Sequence, residues 1–273
     1  MSEDIYPDEI ATNQWSKGIP RIFWGENLPI RFYGDVRERP MALELFVKAF
    51  GAIPNEEILD AGSGEGYLSY PLAKKGFKVV GVEQSRGMLD QSKLHMPNTR
   101  FLHGDIDSLS DLNIKTNSLA GCICVGVLLH VNPERLFKTL KSIVSSLKSG
   151  SPILLSVPHE YLADVSAPTT NNQSGVVNFE LIQTHKTKLS DSKPHLSYET
   201  AETYFHSLEF EPLQVKCFIH SHEFILEILR NLNCNILQTT ELYFQPDDSK
   251  ISPNWDIKTI NHPFYFQIIA SKL

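Results

Sequence analysis

Residues 58–70 read ILDAGSGEGYLSY: an apolar run, an acid, then glycines at 62, 64 and 66. Glycine gives up more backbone freedom on folding than any other residue, so it is costly inside a helix or strand. Three within five positions, directly after a β-rich run, mark a strand that turns sharply into a helix. Such a turn serves either as an ordinary loop or as a place where a ligand approaches the backbone. The spacing departs from the dinucleotide fingerprint G-x-G-x-x-G, because its third glycine falls on Tyr67. A pyrophosphate cradle is therefore poorly matched.

Working outward, short apolar runs alternate with helical patterns between about residues 56 and 158. This is the signature of βαβ units and a parallel sheet. Strands are predicted over Glu57–Ala61, Lys78–Glu83, Thr99–His103, Leu119–Val127 and Pro152–Val157. Helices are predicted over Gly66–Lys75, Arg86–His95 and Pro133–Lys148. After Pro158 the pattern breaks. Residues 159–200 are rich in Ser, Thr, Asn, His and Asp and read as a long polar connection, a length that is usually functional or disordered. A helix (His222–Leu232) and two strands (Cys234–Phe244 and Pro263–Ser271) follow. Residues 1–50 form a separate piece with aromatics at Trp15, Phe23, Trp24, Phe32 and Tyr33, then a helix over about Pro40–Phe50.

The glycines keep telling company. Asp60 ends the first strand, Glu83 ends the second, and Asp105 follows the third. In doubly wound sheets an acid about 20 residues after the glycine loop accepts hydrogen bonds from ribose hydroxyls. Each acid taken singly also has a plain reading, as a helix cap, a solvated strand end or a turn residue. Their order and spacing favour one crevice at the carboxyl ends of the strands.

The stretch ILDAGSGEGYLSYPLAKKGFKVVGVEQSRGMLDQSK resembles the opening of class I S-adenosylmethionine (SAM) dependent methyltransferases of the small-molecule type. On that resemblance the glycine motif is Asp60 to Gly66, including Gly62 and Gly64, and the ribose-binding acid is Glu83. Gln84 and Met88 fall near the adenosine, Asp105 and Ile106 on the adenine side, and Val125 of VGVLLHV beside the methionine part. Tyr33 resembles the tyrosine that many relatives place over the cofactor. The resemblance covers residues 56–158 well and continues loosely through HEFILEILRNLNCNILQTTELYFQP and HPFYFQIIASK. It implies a doubly wound, mostly parallel α/β sheet of seven strands with an antiparallel last strand. It also implies an N-terminal helical lid (1–50) on a SAM-binding domain (51–273) whose acceptor cover is inserted at about 159–221. The physics agrees. SAM carries no phosphate, so a third phosphate-gripping glycine is unnecessary, and Asp60 suits its ammonium.

Methyl transfer is an in-line displacement at an activated carbon, so an enzyme must align the acceptor and exclude water. A base is needed only where the acceptor loses a proton. His130, after the fourth strand, and His159 and Tyr161, after the fifth, are the candidate catalytic residues; Glu160, His220 and His222 are further acceptor-side candidates. Two other uses of SAM remain open: transfer or cyclisation of its aminocarboxypropyl group, releasing methylthioadenosine, and binding without catalysis. A dehydrogenase ranks last because of Tyr67 and the closing strand pair.

The rest of the chain bounds the reading. Its 273 residues suffice for one large α/β domain or two small ones. A net charge of −7 and a pI near 5.8 argue against a nucleic-acid footprint. No apolar run approaches the ~20 residues that span a bilayer, and the acidic start lacks a signal-peptide pattern. A cytoplasmic monomer or homodimer with a small-molecule acceptor, no nucleic-acid or membrane partner and no metal is expected. Cys122 and Cys124 share one face of a buried strand and read as reduced core thiols.

Overall fold

The computed structural model describes residues 37–161, 175–189, 195–205, 213–243, 245 and 262–273. Ten strands and five α-helices run through them: α1 (Arg39–Ala49), β1 (Glu57–Ala61), α2 (Ser69–Lys74), β2 (Lys78–Glu83), α3 (Arg86–His95), β3 (Arg100–His103), β4 (Cys122–Val125), α4 (Pro133–Ser146), β5 (Pro152–Pro158), β6 (Gly175–Thr187), β7 (His195–Phe205), β8 (Leu213–His220), α5 (His222–Asn231), β9 (Cys234–Tyr243) and β10 (Pro263–Lys272).

Seven strands form one sheet in the order β3-β2-β1-β4-β5-β10-β9. The first five pair in parallel, while β10 runs antiparallel to both neighbours. The order reverses between β1 and β4. Connections there leave in opposite directions and open a crevice at the strands' carboxyl ends.

Both sheet faces are apolar because both are covered. Leu59, Val80, Cys122, Cys124, Ile153 and Leu155 face one layer with α4 and α5. Ile58, Val79, Ile123 and Leu154 face the other, with Ala42 and Phe46 of α1 and Leu72 of α2. In α4 the spacing of Leu136, Leu140, Ile143 and Val144 places one stripe on the sheet. Asn132 caps it, accepting from the Glu134 amide, with Pro133 in the first turn. Cys122 and Cys124 are both fully buried, and burial raises both thiol pKa values.

Three expectations need correction. The fourth strand is shorter than Leu119–Val127: Leu119 makes only an isolated bridge to Leu147, and Gly126 turns away with φ +69°. The helix after the glycines starts at Ser69, because Gly66 holds φ +87°. The long connection after β5 carries a second, antiparallel sheet, β6-β7-β8. Its polar composition hides a period of two, in which Val177, Phe179 and Leu181 alternate with Asn178 and Glu180. The N-terminal aromatics, Tyr33 among them, lie outside the described residues.

Candidate functional site

The crevice is built where β1 and β2 end. Gly62 and Ser63 both donate their amides to the Val82 carbonyl, at 2.8 and 3.0 Å, which folds the glycine loop across β2. Gly62, Gly64 and Gly66 all have positive φ, at 72°, 53° and 87°. A Cβ on Gly62 would meet Val127 Cγ2 at 2.3 Å, so this glycine is required by the turn after β4. A Cβ on Gly64 would find only Met88 Sδ, at 3.8 Å, and one on Gly126 would find nothing within 4 Å. The loop is thus tight at its base and open toward the crevice.

Glu83 spans the loop and the start of α3. Its Oε2 accepts from the Gly64 amide at 2.8 Å and its Oε1 from the Ser85 amide at 2.7 Å. Loss of solvation raises its pKa, and those amides pull it back. Asp60 is buried, and its Oδ2 accepts from Ser69 Oγ at 2.6 Å. Burial first, then the charge of Glu83, pushes its pKa up to about 6, against the Ser69 hydroxyl and the charge of Arg39. Arg39 lies with its Cζ 4.8 Å from the Tyr67 ring centroid.

On the far side, Asp105 caps a 3₁₀ turn (Ile106–Leu112), its Oδ1 accepting from the Asp107 amide at 3.0 Å. Arg135 of α4 bridges Asp105 and Asp107. Ile106 is buried in the core beneath, Gln84 gives its carbonyl to His103 Nε2 at 3.0 Å, and Val125 ends β4 just before Gly126.

The acceptor-side candidates divide into two groups. His130 follows β4, its Nδ1 3.8 Å from Cys217 Sγ of β8, and burial lowers its pKa to about 4. Nearby, His220 of β8 clamps the same turn. Its Nε2 donates to the Leu128 and Val131 carbonyls at 3.1 and 3.0 Å, and its Nδ1 accepts from Ser197 Oγ at 3.0 Å. The second group gathers at the ends of β5 and β9 and the starts of α5 and β10. The Tyr161 amide donates to His159 Nδ1 at 3.0 Å, which turns His159 Nε2 toward Glu241 Oε1, 3.5 Å away. His159 lies 4.2 Å from the ring of His222, which stacks on Phe266, and Tyr161 stacks on His262. Burial lowers both imidazole pKa values, that of His222 to about 4. His159 and Tyr161 therefore belong together, while His130 meets the inserted sheet.

Sequence reading missed Glu38, Arg39, Ser69, Arg135 and Glu241. Only Ser69 has a local signal, one helical turn past the glycines. The others reach their partners through contacts that no sequence spacing encodes.

Comparison with known proteins bears on the fold. Residues 58–150 match the model of a methyltransferase domain family. A demethylmenaquinone methyltransferase of Renibacterium salmoninarum is 40% identical over 125 residues, 46% of this chain and 48% of that protein. A ubiquinone biosynthesis O-methyltransferase of Coxiella burnetii is 27% identical over 141 residues, 50% of this chain and 54% of that protein. The chain thus spans about half the length of these curated relatives. The magnesium protoporphyrin IX methyltransferase of Synechocystis PCC 6803, solved with bound SAM, superposes over the whole of both chains with a TM-score of 0.59 at 14% identity. A SAM-dependent methyltransferase of Clostridium acetobutylicum gives 0.58 at 16% identity, over 86% of this chain and 90% of that one. This is the class I SAM-dependent methyltransferase fold. In that fold the β3-β2-β1-β4-β5 half builds the crevice described above, and the β10–β9 pair closes the sheet. Among the described residues, no helix is long and apolar enough to cross a membrane.

Proposed function

We propose that the chain is a methyltransferase that moves the methyl group of SAM to O, N or C of a small-molecule acceptor. The observation that carries this reading is the pair of acids, the buried Asp60 and the half-buried Glu83, set against a left-handed glycine loop. Their chemistry fits the cofactor. Two amides occupy part of the Glu83 carboxylate, which keeps acceptor sites for ribose hydroxyls. Asp60 gives one oxygen to Ser69 and keeps the other for an ammonium. Gln84, Met88, Asp105, Ile106 and Val125 are the residues we assign to the adenosine and methionine walls, with Gly62 and Gly64 beneath. Tyr33 keeps its assignment as a covering ring.

Bound SAM supplies a methyl carbon already activated by its sulfonium. The protein's work is then alignment and exclusion of water. His130, His159 and Tyr161 are assigned to the acceptor side. Burial lowers the pKa of both imidazoles and favours their neutral form, which can offer hydrogen bonds to the acceptor. The inserted sheet β6-β7-β8, clamped by His220, is assigned as the cover. The names of the two curated relatives favour a small organic acceptor.

Two measurements test the proposal. Glu83→Ala is expected to weaken SAM binding roughly 10- to 100-fold, the loss of hydrogen bonds to a charged group. An unchanged dissociation constant would overturn the placement of the site. Incubation with methyl-¹³C SAM and a small-molecule extract is expected to release S-adenosylhomocysteine and label a new compound. Label retained in methylthioadenosine, above a control without protein, would replace methyl transfer with aminocarboxypropyl chemistry. Saturable SAM binding without turnover on any acceptor would make the chain a binding module.

A further inference from the structure

Glu38 stands just ahead of α1 and is 3% exposed. Its Oε1 accepts from Ser156 Oγ at 2.7 Å, and its backbone carbonyl accepts from Gln267 Nε2 at 2.8 Å. Ser156 on β5 and Gln267 on β10 are register partners. The other register neighbour of Ser156 is Val125, the last residue of β4 before the crevice. Glu38 therefore closes a polar row across the middle of an apolar sheet.

The groups that face Glu38 from β5 and β10 are a hydroxyl and an amide, both neutral. On its own segment Arg37 precedes it and Arg39 follows it. Arg39 is directed elsewhere: it stacks over Tyr67, and its charge is felt by Asp60. An isolated buried carboxylate is expensive, so such a group holds its proton. Burial pushes the Glu38 acid up to about 8, with the Ser156 hydroxyl opposing.

We propose that Glu38 is a positioning residue. As a neutral carboxylic acid it docks the start of α1 on β5 and β10, and so holds Arg39 beside Asp60; a negative charge there undocks it and loosens the cofactor crevice. This rests on the reading of that crevice as the SAM site.

Linkage fixes the sign. A docked Glu38 keeps its proton to about pH 8, whereas an exposed glutamate loses it near 4.5. Between those values the docked form binds more protons, so docking weakens as pH rises, by at most about tenfold per unit. Above about 8 both forms are charged and the loss stops.

The test uses S-adenosylhomocysteine as the probe, by calorimetry from about pH 6 to about pH 9, on wild type and Glu38→Gln. Glutamine keeps the shape of the neutral acid and cannot ionise. Near pH 6 the two proteins are expected to bind alike. By about pH 8.5 wild type binds roughly fivefold or more weakly than the variant, and the ratio then levels off. Titration of the ligand's own amine is common to both and cancels. A ratio that stays constant with pH overturns the proposal. Hydrogen exchange of the α1 amides, corrected for intrinsic rate and compared with α4 in the same wild-type molecule, gives a second readout. Protection of α1 is expected to fall selectively over the same range; parallel behaviour of the two helices overturns the proposal even where the variant does not fold. If neither protein binds the probe at any pH, the cofactor reading fails, and the exchange result alone decides the role of Glu38.

Discussion

Gly62→Ala tests the architecture of the crevice at its tightest point. The native φ of +72° places a Cβ in the left-handed region, which costs about 1–2 kcal/mol for a residue other than glycine. The added methyl would also stand 2.3 Å from Val127 Cγ2 and 2.9 Å from Val127 Cγ1. Real contacts do not close to these distances, so the loop or the β4 turn must shift. Overpacking of this kind costs about 1–3 kcal/mol. The sum is roughly 2–5 kcal/mol, and at about 2–4 °C per kcal/mol the melting temperature falls by about 4–20 °C. The two contributions separate in a double-mutant cycle. Val127→Ala removes both Cγ atoms and leaves its Cβ at 3.2 Å from the new methyl, a contact that small shifts relieve. Gly62→Ala on the Val127→Ala background should therefore cost about 1–3 kcal/mol less than on wild type, leaving the backbone part. Denaturant melts of the four proteins read this directly. A Gly62→Ala protein that melts with wild type, or a pair whose losses simply add, would refute the packing of the loop on the β4 turn.

Three further outcomes are expected. His220→Ala strands the carbonyls of Leu128 and Val131 and the hydroxyl of Ser197, at about 1–3 kcal/mol for each buried group that finds no water; faster hydrogen exchange in β7 and β8 than in β1 and β2 checks it, and equal exchange counts against the clamp. His130 and His222 have folded pKa values of about 4, below the 6.5 of free imidazole, so the unfolded chain binds more protons between these values and stability is lost as pH falls through them. The raised acids Asp60 and Glu38 act in the opposite sense, so the informative quantity is the difference between wild type and His130→Gln or His222→Gln, which should favour the variant increasingly from about pH 6.5 down to about pH 4. Finally, a cation beside Asp60 lowers its pKa from about 6, so SAM binding to wild type should expel up to about half a proton more than binding to Asp60→Asn near pH 6, and almost none more near pH 8, the ligand's own amine cancelling in the difference; calorimetry in buffers of different ionisation enthalpy measures it, and no difference near pH 6 would separate Asp60 from the ammonium.

Much of the fold is readable because its signals are local. The predicted bounds of β1 and β2 agree with the structure, since a strand buried on both faces appears as a short apolar run, broken in β1 by Asp60 near its end. Helix α3 agrees as well, started by the side chain of Ser85. Element ends depend on tertiary contacts and are read less well: Leu119 and Leu147 meet each other instead of extending a strand and a helix. The inserted sheet was hidden by its polar composition. Within the site, Asp60 and Glu83 are legible because strand ends carry them to the glycine loop. The Arg135 bridge to Asp105 and Asp107, the His220 clamp and the Glu38 row join residues far apart in the chain, and no spacing rule reaches them.

The departure at Tyr67 and the charge of the crevice lead to one conclusion from opposite directions. A pyrophosphate site takes free loop amides at the helix start, and glycine where the helix meets the strand. Here the third glycine is a tyrosine whose ring lies under Arg39, and the loop amide of Gly64 is already given to Glu83. Two acids, with the charge of Glu83 raising the pKa of Asp60, repel a diphosphate and attract hydroxyl donors and cations. The one cation that reaches Asp60 from α1 is itself positioned through the neutral Glu38, so the crevice keeps an excess of negative potential near pH 7. A ligand with ribose hydroxyls at one end and an ammonium and a sulfonium at the other matches that potential along its whole length.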